Sequence, residues 1–281
     1  IGSTMGSISS VSKFDRDVLK NGYKNANPGV FPSLVMCAAA SQVSIKFGIK
    51  GLISTISSGY ASGLDAMGYA VSAIETGKVK RVLVGAVEEL CEEIYRGFSK
   101  LGLLAGTTAK REELCTPFDK RRNGFILGEG AVVFQMELLE DAKRRGAHVY
   151  AVVNEYASHF VQLRFDRRNI ERMVTESARL VSDSIADSNI AKEDIDLVVS
   201  GANSTLHGDI CDAELYKRIF ADIENGAPVS AVKSLVGEGF SVSSSFQIAA
   251  ALYSLERQKL FATANFQVAD ERCSMPTLVR K

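Results

Sequence analysis

The sequence lacks several features that would each point to a particular class of protein. No apolar run approaches ~20 residues, the length that a membrane-spanning helix requires. The 33 basic residues are balanced by 33 acidic ones, so the basic excess that is typical of nucleic-acid-binding proteins is missing. No low-complexity stretch or short-period repeat is present either. We therefore expect no membrane span and no nucleic-acid partner.

Residues that bind metals or form disulfides are few and scattered. The five cysteines form no CxxC pair, and the three histidines do not cluster as zinc ligands do. Isolated cysteines in a chain of this length are typical of reduced thiols in a cytoplasmic protein. The Gly-rich segments around Gly124 and Gly237 lack the strand–GxGxxG–helix context of a dinucleotide site. We expect a cytoplasmic protein with no metal and no cofactor.

The beginning of the chain is also unusual. It has no initiator methionine, and IGSTMGSISS lacks the charged and apolar regions of a signal peptide. Ile1 falls in what looks like the end of a strand. We expect that the natural N-terminus is missing.

Short apolar runs alternate with longer segments of helical periodicity, which favours an α/β fold. Apolar residues recur at i, i+3 and i+4 within 62–77, which predicts a helix. The run 82–86 is apolar on both faces, as in a strand inside a covered sheet. Similar patterns predict further strands at 52–57, 131–137, 149–153 and 196–200. They also predict a helix that ends at 145 and further helices at 168–187, 209–220 and 246–258.

The pattern predicts two successive α/β halves, since a second series of elements starts near His148. With 281 residues, of which 46% are hydrophobic, it is long enough for one or two domains. No linker rich in proline, glycine or serine separates the halves. We predict an N-terminal half at 1–146 packed tightly against a C-terminal half at 147–281, in an internally duplicated architecture.

One acidic cluster invites a catalytic interpretation. Glu88 and Glu89 are followed by Glu92 and Glu93, and paired carboxylates can bind metals or transfer protons. At this spacing the four side chains are more typical of a solvated helix face. We interpret them as such.

The most specific string is PFDKRRNGFILGEGA at 117–131, a charged turn followed by a Gly-punctuated loop that enters an apolar strand. It closely resembles the PFDxxRDGFxxGEGA signature of the β-ketoacyl synthases, the condensing enzymes of fatty-acid and polyketide synthesis. Asn123 stands where the family usually has aspartate. The resemblance covers nearly the whole chain and implies a thiolase-like, duplicated, five-layer αβαβα fold, truncated at both ends. The first strands and the last Gly-rich turn, GFGG, would then be missing.

The family's cysteine nucleophile lies in a turn before a helix, whose N-terminus stabilises a thiolate. The matching string here is GYASG at 59–63, so Tyr60 stands in the place of the cysteine. A phenol, with an ordinary pKa near ~10, is a poor acyl acceptor. Its ring is also bulky enough to fill the space in which an acyl thioester would form.

The family's first catalytic histidine lies in a loop that ends in Gly-Asp. When the loop is aligned on Gly208 and Asp209, Gly201 occupies the histidine position. His207 is a possible substitute, but aligning it with the family histidine destroys the matches on both sides. We therefore interpret His207 as a loop residue.

The second histidine belongs to the motif K-[SA]-x-x-G-H, which reads KSLVGE at 233–238. Lys233 matches, Glu238 replaces the histidine, and Gln247 stands where the family usually has a glutamate that contacts the lysine. A carboxylate cannot donate the hydrogen bond that supports the enolate and the oxyanion during condensation. The resemblance thus implies that no catalytic residue is retained and that the chain alone does not condense.

This combination resembles the chain-length-factor subunits of type II polyketide synthases, and SGLDA at 62–66 resembles the GLDA that follows their lost nucleophile. The resemblance implies a heterodimer with an active ketosynthase, and the basic clusters at 110–111, 120–122 and 143–145 could attract an acidic acyl carrier protein. Thiolase-fold proteins dimerise through the strand before the nucleophile turn. Here that strand would comprise Leu52, Ile53, Ser54, Thr55, Ile56 and Ser57.

Two alternatives remain open at this point. The chain could be an active β-ketoacyl-carrier-protein synthase or another acyltransferase that uses Tyr60 or Ser58 as the acyl acceptor. It could also be a purely structural or regulatory pseudoenzyme. Neither the product nor its chain length follows from the sequence.

Overall fold

The structure is a computed structural model that describes residues 1–107, 112–161, 167–223 and 226–280. The helices in these ranges are α1 (Ile8–Asn21), α2 (Ala38–Phe47), α3 (Ser62–Glu75), α4 (Glu92–Lys100), α5 (Leu139–Arg144), α6 (Arg167–Asp187), α7 (Gly208–Ile219), α8 (Lys233–Val236) and α9 (Ser241–Arg257). The strands are β1 (Arg81–Glu88), β2 (Gly130–Glu137), β3 (Val198–Val199) and β4 (Val229–Ser230). No helix among the described residues is both long and apolar enough to cross a membrane.

The chain folds into two compact units that do not follow a single cut in the sequence. The first unit contains residues 1–101, 127–146 and 239–245. The second contains residues 102–126, 147–238 and 246–281. Each unit therefore includes a segment from the other half of the sequence, and the division at 146 and 147 stays a prediction.

The first unit is built around β1, which bonds to neighbours on both sides. β2 pairs with it antiparallel, in a register from Arg81 opposite Glu137 to Glu88 opposite Gly130. On the other side, the Gly2 N–H donates to the Gly85 carbonyl at 2.7 Å. The strand predicted at 82–86 therefore lies inside a sheet, as its two apolar faces indicate.

Helix α3 packs against β1 through small buried residues: Ala66, Ala70 and Ala73. Its first turn also contacts the first turn of α9. A Cβ on Gly63 would lie 2.5 Å from the Ser244 hydroxyl oxygen, so only glycine allows this approach.

Two predicted strands are wrong. Within 52–57 only Ile56 makes a bridge, to Gly2, with the Ile56 N–H donating to the Ile1 carbonyl at 2.9 Å. Residues 149–153 are exposed and carry no strand assignment. Both predictions rested on side-chain type, whereas a strand exists only where the backbone has a hydrogen-bonded neighbour over several residues.

The second unit has a short parallel pair, in which Val198 lies opposite Val229 and Val199 opposite Ser230. The strand predicted at 196–200 is therefore real but shorter. Helices α6 and α7 pack beside it, with Ile219 and Phe220 buried against Ala178. A second apolar cluster joins the 117–131 motif to the C-terminal segment: Phe118, Ala202, Ala213, Val229, Ala231, Cys273, Met275 and Leu278.

A completely buried arginine lies at the centre of the second unit. The Arg122 Nη1 group donates to the Asp270 Oδ2 atom at 2.6 Å and to the Asp119 carbonyl at 3.0 Å. Arg122 Nη2 donates to the Leu206 carbonyl at 3.3 Å, and Nε lies 3.9 Å from Asp209 Oδ2. One side chain thus holds together the motif turn, the loop before α7 and the C-terminal segment. Hydrogen bonds from Arg272 and, to a lesser extent, from Arg122 lower the pKa of the Asp270 carboxyl.

The neighbouring motif residues serve the same structural purpose. The Asp119 Oδ2 atom accepts bonds from the backbone N–H groups of Gln267 at 2.6 Å and Val268 at 2.8 Å. A Cβ on Gly124, whose φ is +137°, would lie 2.5 Å from the Leu103 carbonyl oxygen. The motif is therefore a structural junction of the second unit.

Asn123 uses both halves of its amide. Its Oδ1 atom accepts a bond from the Gly106 N–H at 2.8 Å, and its Nδ2 group donates to the carbonyls of Glu112 at 3.1 Å and Arg121 at 3.2 Å. An ionised aspartate could not donate either bond. These contacts give a local physical reason for asparagine at this position.

We predict that Arg122→Met destabilises the protein by about 3 kcal/mol, because it removes a buried guanidinium and leaves the Asp119 and Leu206 carbonyls without this donor, although Asp270 keeps its bonds to Arg272. Urea unfolding, with the midpoint and slope compared between variants, measures this loss. Arg144→Met is the control, since Arg144 is exposed and pairs only at the surface with Asp141; it should cost less than about 1 kcal/mol. Equal losses for both variants would contradict a central role for Arg122.

Candidate functional site

Tyr60 lies where the sequence places it, in a sharp turn directly before a helix. A single 3₁₀ turn, Gly59–Ala61, leads into α3, and Gly59 has a φ of +80°. The Gly59 carbonyl accepts bonds from the Ser62 hydroxyl at 2.6 Å and from the Thr4 hydroxyl at 2.8 Å. The turn is therefore fixed both by the helix that follows it and by the first residues of the chain.

The Tyr60 ring belongs to an aromatic cluster formed by Tyr60, Phe98 and Phe240. The Tyr60 and Phe240 ring centres are 5.4 Å apart, and those of Phe98 and Phe240 are 5.0 Å apart. Phe240 is 3% exposed and has a φ of +50°, a conformation that a bulky residue adopts only when its surroundings impose it. The phenol ring thus packs against other rings, while 48% of the residue stays exposed.

Glu238, which the sequence aligns with the family's second histidine, forms a buried ion pair. Its Oε2 atom accepts a bond from Lys233 Nζ at 2.7 Å and another from Asn203 Nδ2 at 2.9 Å. Glu238 is completely buried and Lys233 is 5% exposed. The carboxylate neutralises the lysine and holds the loop that contains Asn203 against α8.

Gly201, which the sequence aligns with the family's first histidine, lies beside a second polar group. A Cβ on Gly201 would meet the Asp212 Oδ2 atom at 3.7 Å, an ordinary contact. That same oxygen accepts a bond from the Ser200 hydroxyl at 2.9 Å. Burial raises the pKa of the Asp212 carboxyl and that of the Tyr216 hydroxyl.

The remaining predicted positions have structural contacts. Gln247 lies on α9 and donates from Nε2 to the Val199 carbonyl at 2.9 Å, which links α9 to β3. His207 is exposed and directly precedes α7. Of the predicted site residues, the structure brings Lys233 and Glu238 into direct contact. Tyr60 belongs to the first unit, whereas Gly201, Lys233, Glu238 and Gln247 belong to the second.

The buried cysteines are poor nucleophiles. Burial raises the pKa of the Cys115 thiol to about 12 and the pKa of the Cys211 and Cys273 thiols to about 11. Since the thiolate is the reactive form, these three side chains are protonated at neutral pH. No cluster of three metal-binding side chains exists among the described residues.

Glu88 corrects the interpretation of the acidic cluster. It is the last residue of β1 and is 4% exposed, so it does not belong to a solvated helix face. Its carboxylate accepts bonds from the backbone N–H groups of residues 4 and 5 and from the Ser241 hydroxyl. The prediction is wrong because the strand continues to residue 88 and α4 begins only at Glu92.

The arginines of the basic clusters are mostly buried or neutralised by nearby acids, whereas Lys120 and Lys143 are exposed. Residues 110 and 111 lie outside the described part of the chain. Arg122 is buried, contrary to the expectation of an exposed turn, and Arg121 Nε bonds to the Asp119 carboxylate at 3.0 Å. The arginines at 144 and 145 pair with Asp141 and Glu137. Little unpaired positive charge is left at 121, 122, 144 and 145 to attract an acidic protein.

Comparison with known families gives two matches that together span most of the chain. The family model described as "Beta-ketoacyl synthase, N-terminal domain" matches residues 1–142. The model described as "Beta-ketoacyl synthase, C-terminal domain" matches residues 150–267.

Individual relatives agree with these matches. A Streptomyces virginiae protein named as a polyketide β-ketoacyl synthase is 30% identical, covering 98% of this chain and 66% of its own length. The 3-oxoacyl-[acyl-carrier-protein] synthase 2 of Staphylococcus aureus is 26% identical, covering 98% of this chain and 68% of its own length. The chain spans less than two thirds of the first three Streptomyces relatives, at 66%, 61% and 61%.

Solved structures show the same fold. A type II PKS acyl-carrier protein in complex with its ketosynthase, bound to the hexaketide, matches with a TM-score of 0.88 and 26% identity, covering 100% of this chain and 69% of that one. A β-ketoacyl synthase from Burkholderia phymatum matches with a TM-score of 0.84 and 26% identity, covering 100% and 67%. These likenesses confirm the thiolase-like α/β fold. The chain belongs to the β-ketoacyl synthase family.

Proposed function

We propose that this chain is a catalytically disabled ketosynthase homologue that acts, like a chain-length factor, as the partner of an active ketosynthase in polyketide or fatty-acid-like synthesis. The observation that carries the proposal is the buried Lys233–Glu238 pair, with Nζ and Oε2 2.7 Å apart. In this pair, a carboxylate that is engaged with a lysine occupies the place of a catalytic histidine.

Two electrostatic arguments oppose condensation at this site. An oxyanion needs hydrogen-bond donors, and each donor that is removed costs about 3 kcal/mol of transition-state stabilisation. Gly201 has no side chain to donate, and Glu238 brings a negative charge to its position. Two missing donors together would slow condensation by a factor of roughly 10⁴.

The nucleophile position supports the same proposal. The Tyr60 ring packs against Phe240, so it fills space on the side of the turn where a small thiol would leave room. The buried cysteines of the second unit are protonated at neutral pH, so they offer no thiolate in its place.

Partnering is supported by an apolar cavity of about 380 Å³ in the first unit, next to the predicted interface segment. Its lining includes Leu52, Ile53 and Ile56 from that segment, together with Leu83 and Val133 from the sheet. Leu52 and Ile53 are nearly half exposed, and Val133 is 54% exposed. Contiguous exposed apolar surface is typical of a protein–protein interface.

Acyl carrier protein is the second proposed partner. The solved structure that matches with a TM-score of 0.88 contains a ketosynthase in complex with its acyl-carrier protein, which supports contact of this kind. Because the arginines at 121, 122, 144 and 145 are neutralised or buried, we propose that the carrier protein docks mainly on the ketosynthase subunit.

An acyltransferase function is the alternative that one observation favours. The Ser58 hydroxyl, two residues before Tyr60, donates a hydrogen bond to the Asp65 carboxylate. A carboxylate next to a hydroxyl can act as a general base and activate it for acyl transfer. Ser58 is therefore the acceptor to test if this chain does accept an acyl group.

We predict that the chain forms no covalent adduct when it is incubated with acyl or malonyl carrier protein, because it has neither an activated thiolate nor oxyanion support. Intact-mass spectrometry measures the adduct, with an active ketosynthase as the positive control. An adduct that disappears in Ser58→Ala but persists in Tyr60→Phe would establish the acyltransferase alternative instead.

The ion pair generates a second prediction. Glu238→Gln should destabilise the protein by about 3 kcal/mol, because it removes the carboxylate that faces buried Lys233. The double variant Lys233→Met/Glu238→Gln should recover most of this loss, since neither position then buries a charge. Thermal and urea unfolding report both effects, and Glu214→Gln, which removes an exposed pair with Lys217, is the control. If the double variant is less stable than Glu238→Gln, the pair is not the cause.

A third prediction tests the interface segment. Thr55→Pro removes the N–H group of residue 55, for which no bond is found among the described residues, so the change should affect a partner strand rather than this chain. Residue 56 is unsuitable for the test because its N–H bonds to the Ile1 carbonyl. We expect Thr55→Pro to abolish co-elution with a co-expressed ketosynthase on size exclusion while thermal stability stays close to that of the wild type. Val152→Pro, in an exposed irregular segment, is the matched control. Co-elution and full product length with Thr55→Pro would show that the partner binds elsewhere.

A further inference from the structure

Glu88 is a buried carboxylate of the first unit, and two of its three hydrogen bonds lead towards the Tyr60 turn. The residue is 4% exposed and ends the central strand β1. Its Oε1 atom accepts a bond from the Met5 N–H at 2.9 Å. Its Oε2 atom accepts bonds from the Thr4 N–H at 2.9 Å and from the Ser241 hydroxyl at 2.6 Å.

The first connection runs through Thr4. While its backbone N–H is held by Glu88, its hydroxyl donates to the Gly59 carbonyl at 2.8 Å. Gly59 directly precedes Tyr60 and has a φ of +80°, so the direction of its carbonyl depends on the geometry of the turn. Glu88 therefore fixes one side of the turn through a single intervening residue.

The second connection runs through Ser241. The Ser241 hydroxyl contacts both Glu88 and the Val87 carbonyl, the latter at 3.2 Å. The residue before it is Phe240, whose ring packs 5.4 Å from the Tyr60 ring and whose φ is +50°. A positive φ in phenylalanine persists only where neighbouring groups hold it. Glu88 thus also fixes the ring on which Tyr60 rests.

We propose that Glu88 is a positioning residue for Tyr60, holding both the backbone of the turn and the Phe240 ring that supports the phenol. A carboxylate suits this task because all three partners are donors and both of its oxygens only accept. Glutamine at this position would present an NH₂ group to at least one of those donors, so at least one bond would be lost and its donor left unpaired. The proposal does not depend on the partner subunit or on whether the chain transfers acyl groups.

The test uses the full chain labelled with 3-fluorotyrosine, in which the eight tyrosines give separate ¹⁹F NMR signals. Tyr60→Phe assigns the Tyr60 signal, and the signal of Tyr95, which is similarly exposed, is the internal reference. The Phe240 ring displaces the Tyr60 signal from its position in the unfolded chain. We expect Glu88→Gln to remove most of that displacement and to leave the Tyr95 signal in place.

Matched variants separate positioning from general stability. Glu89→Gln removes one negative charge from the exposed neighbouring residue and should keep the wild-type Tyr60 signal. Thr4→Val removes only the hydroxyl that bonds to Gly59 and should shift the Tyr60 signal, whereas Thr4→Ser retains the hydroxyl and should restore the wild-type position.

Two results would overturn the proposal. In the first, Glu88→Gln lowers the thermal midpoint but leaves the Tyr60 signal unchanged, which would show that Glu88 supports the fold without positioning the turn. The second result comes from the two Thr4 variants, which test the proposal even if Glu88→Gln does not fold. A Tyr60 signal that is identical in Thr4→Val and Thr4→Ser would contradict the connection through Gly59.

Discussion

The second unit depends on one buried guanidinium. Arg122 has no access to water, so each of its N–H groups must find a partner inside the protein or be costly to bury. The nearest acceptors come from three distant parts of the sequence: Asp119, Leu206 and Asp270. Satisfying one side chain therefore requires the motif turn, the loop before α7 and the C-terminal segment to fold together. The Lys233–Glu238 pair then joins α8 to that same loop through Asn203.

The sequence predicts what depends on local pattern or on a family motif. The periodicity of 62–77 predicts α3, and the two apolar faces of 82–86 predict an internal strand, because these patterns reflect the surfaces that must be buried. The family motif places Tyr60 in a turn before a helix and Glu238 next to Lys233 in a short span. Both correspond to the structure because the contacts involved lie close together in the sequence.

The features that the sequence does not predict are set by distant partners. Glu88 looks like part of an exposed acidic face, yet its three donors include residues about 80 and 150 positions away. Residues 149–153 have the composition of a strand, but their backbone has no ladder neighbour among the described residues. The loss of aspartate at 123 has no explanation until the amide is seen to donate to two carbonyls. One signal was available for Glu88, since residue 88 directly continues an apolar strand.

The two positions that the sequence aligns with the family's histidines differ in what a histidine side chain would meet there. At Gly201 a new side chain meets only an ordinary contact with Asp212, so a mutation there encounters no steric barrier at the Cβ. At Glu238 a histidine would remove the buried carboxylate that bonds to Lys233 Nζ at 2.7 Å, so the substitution loses a buried ion pair. A histidine at 201 therefore needs one substitution that its surroundings accommodate, whereas a histidine at 238 is expected to need a compensating change among the buried groups around Lys233 as well.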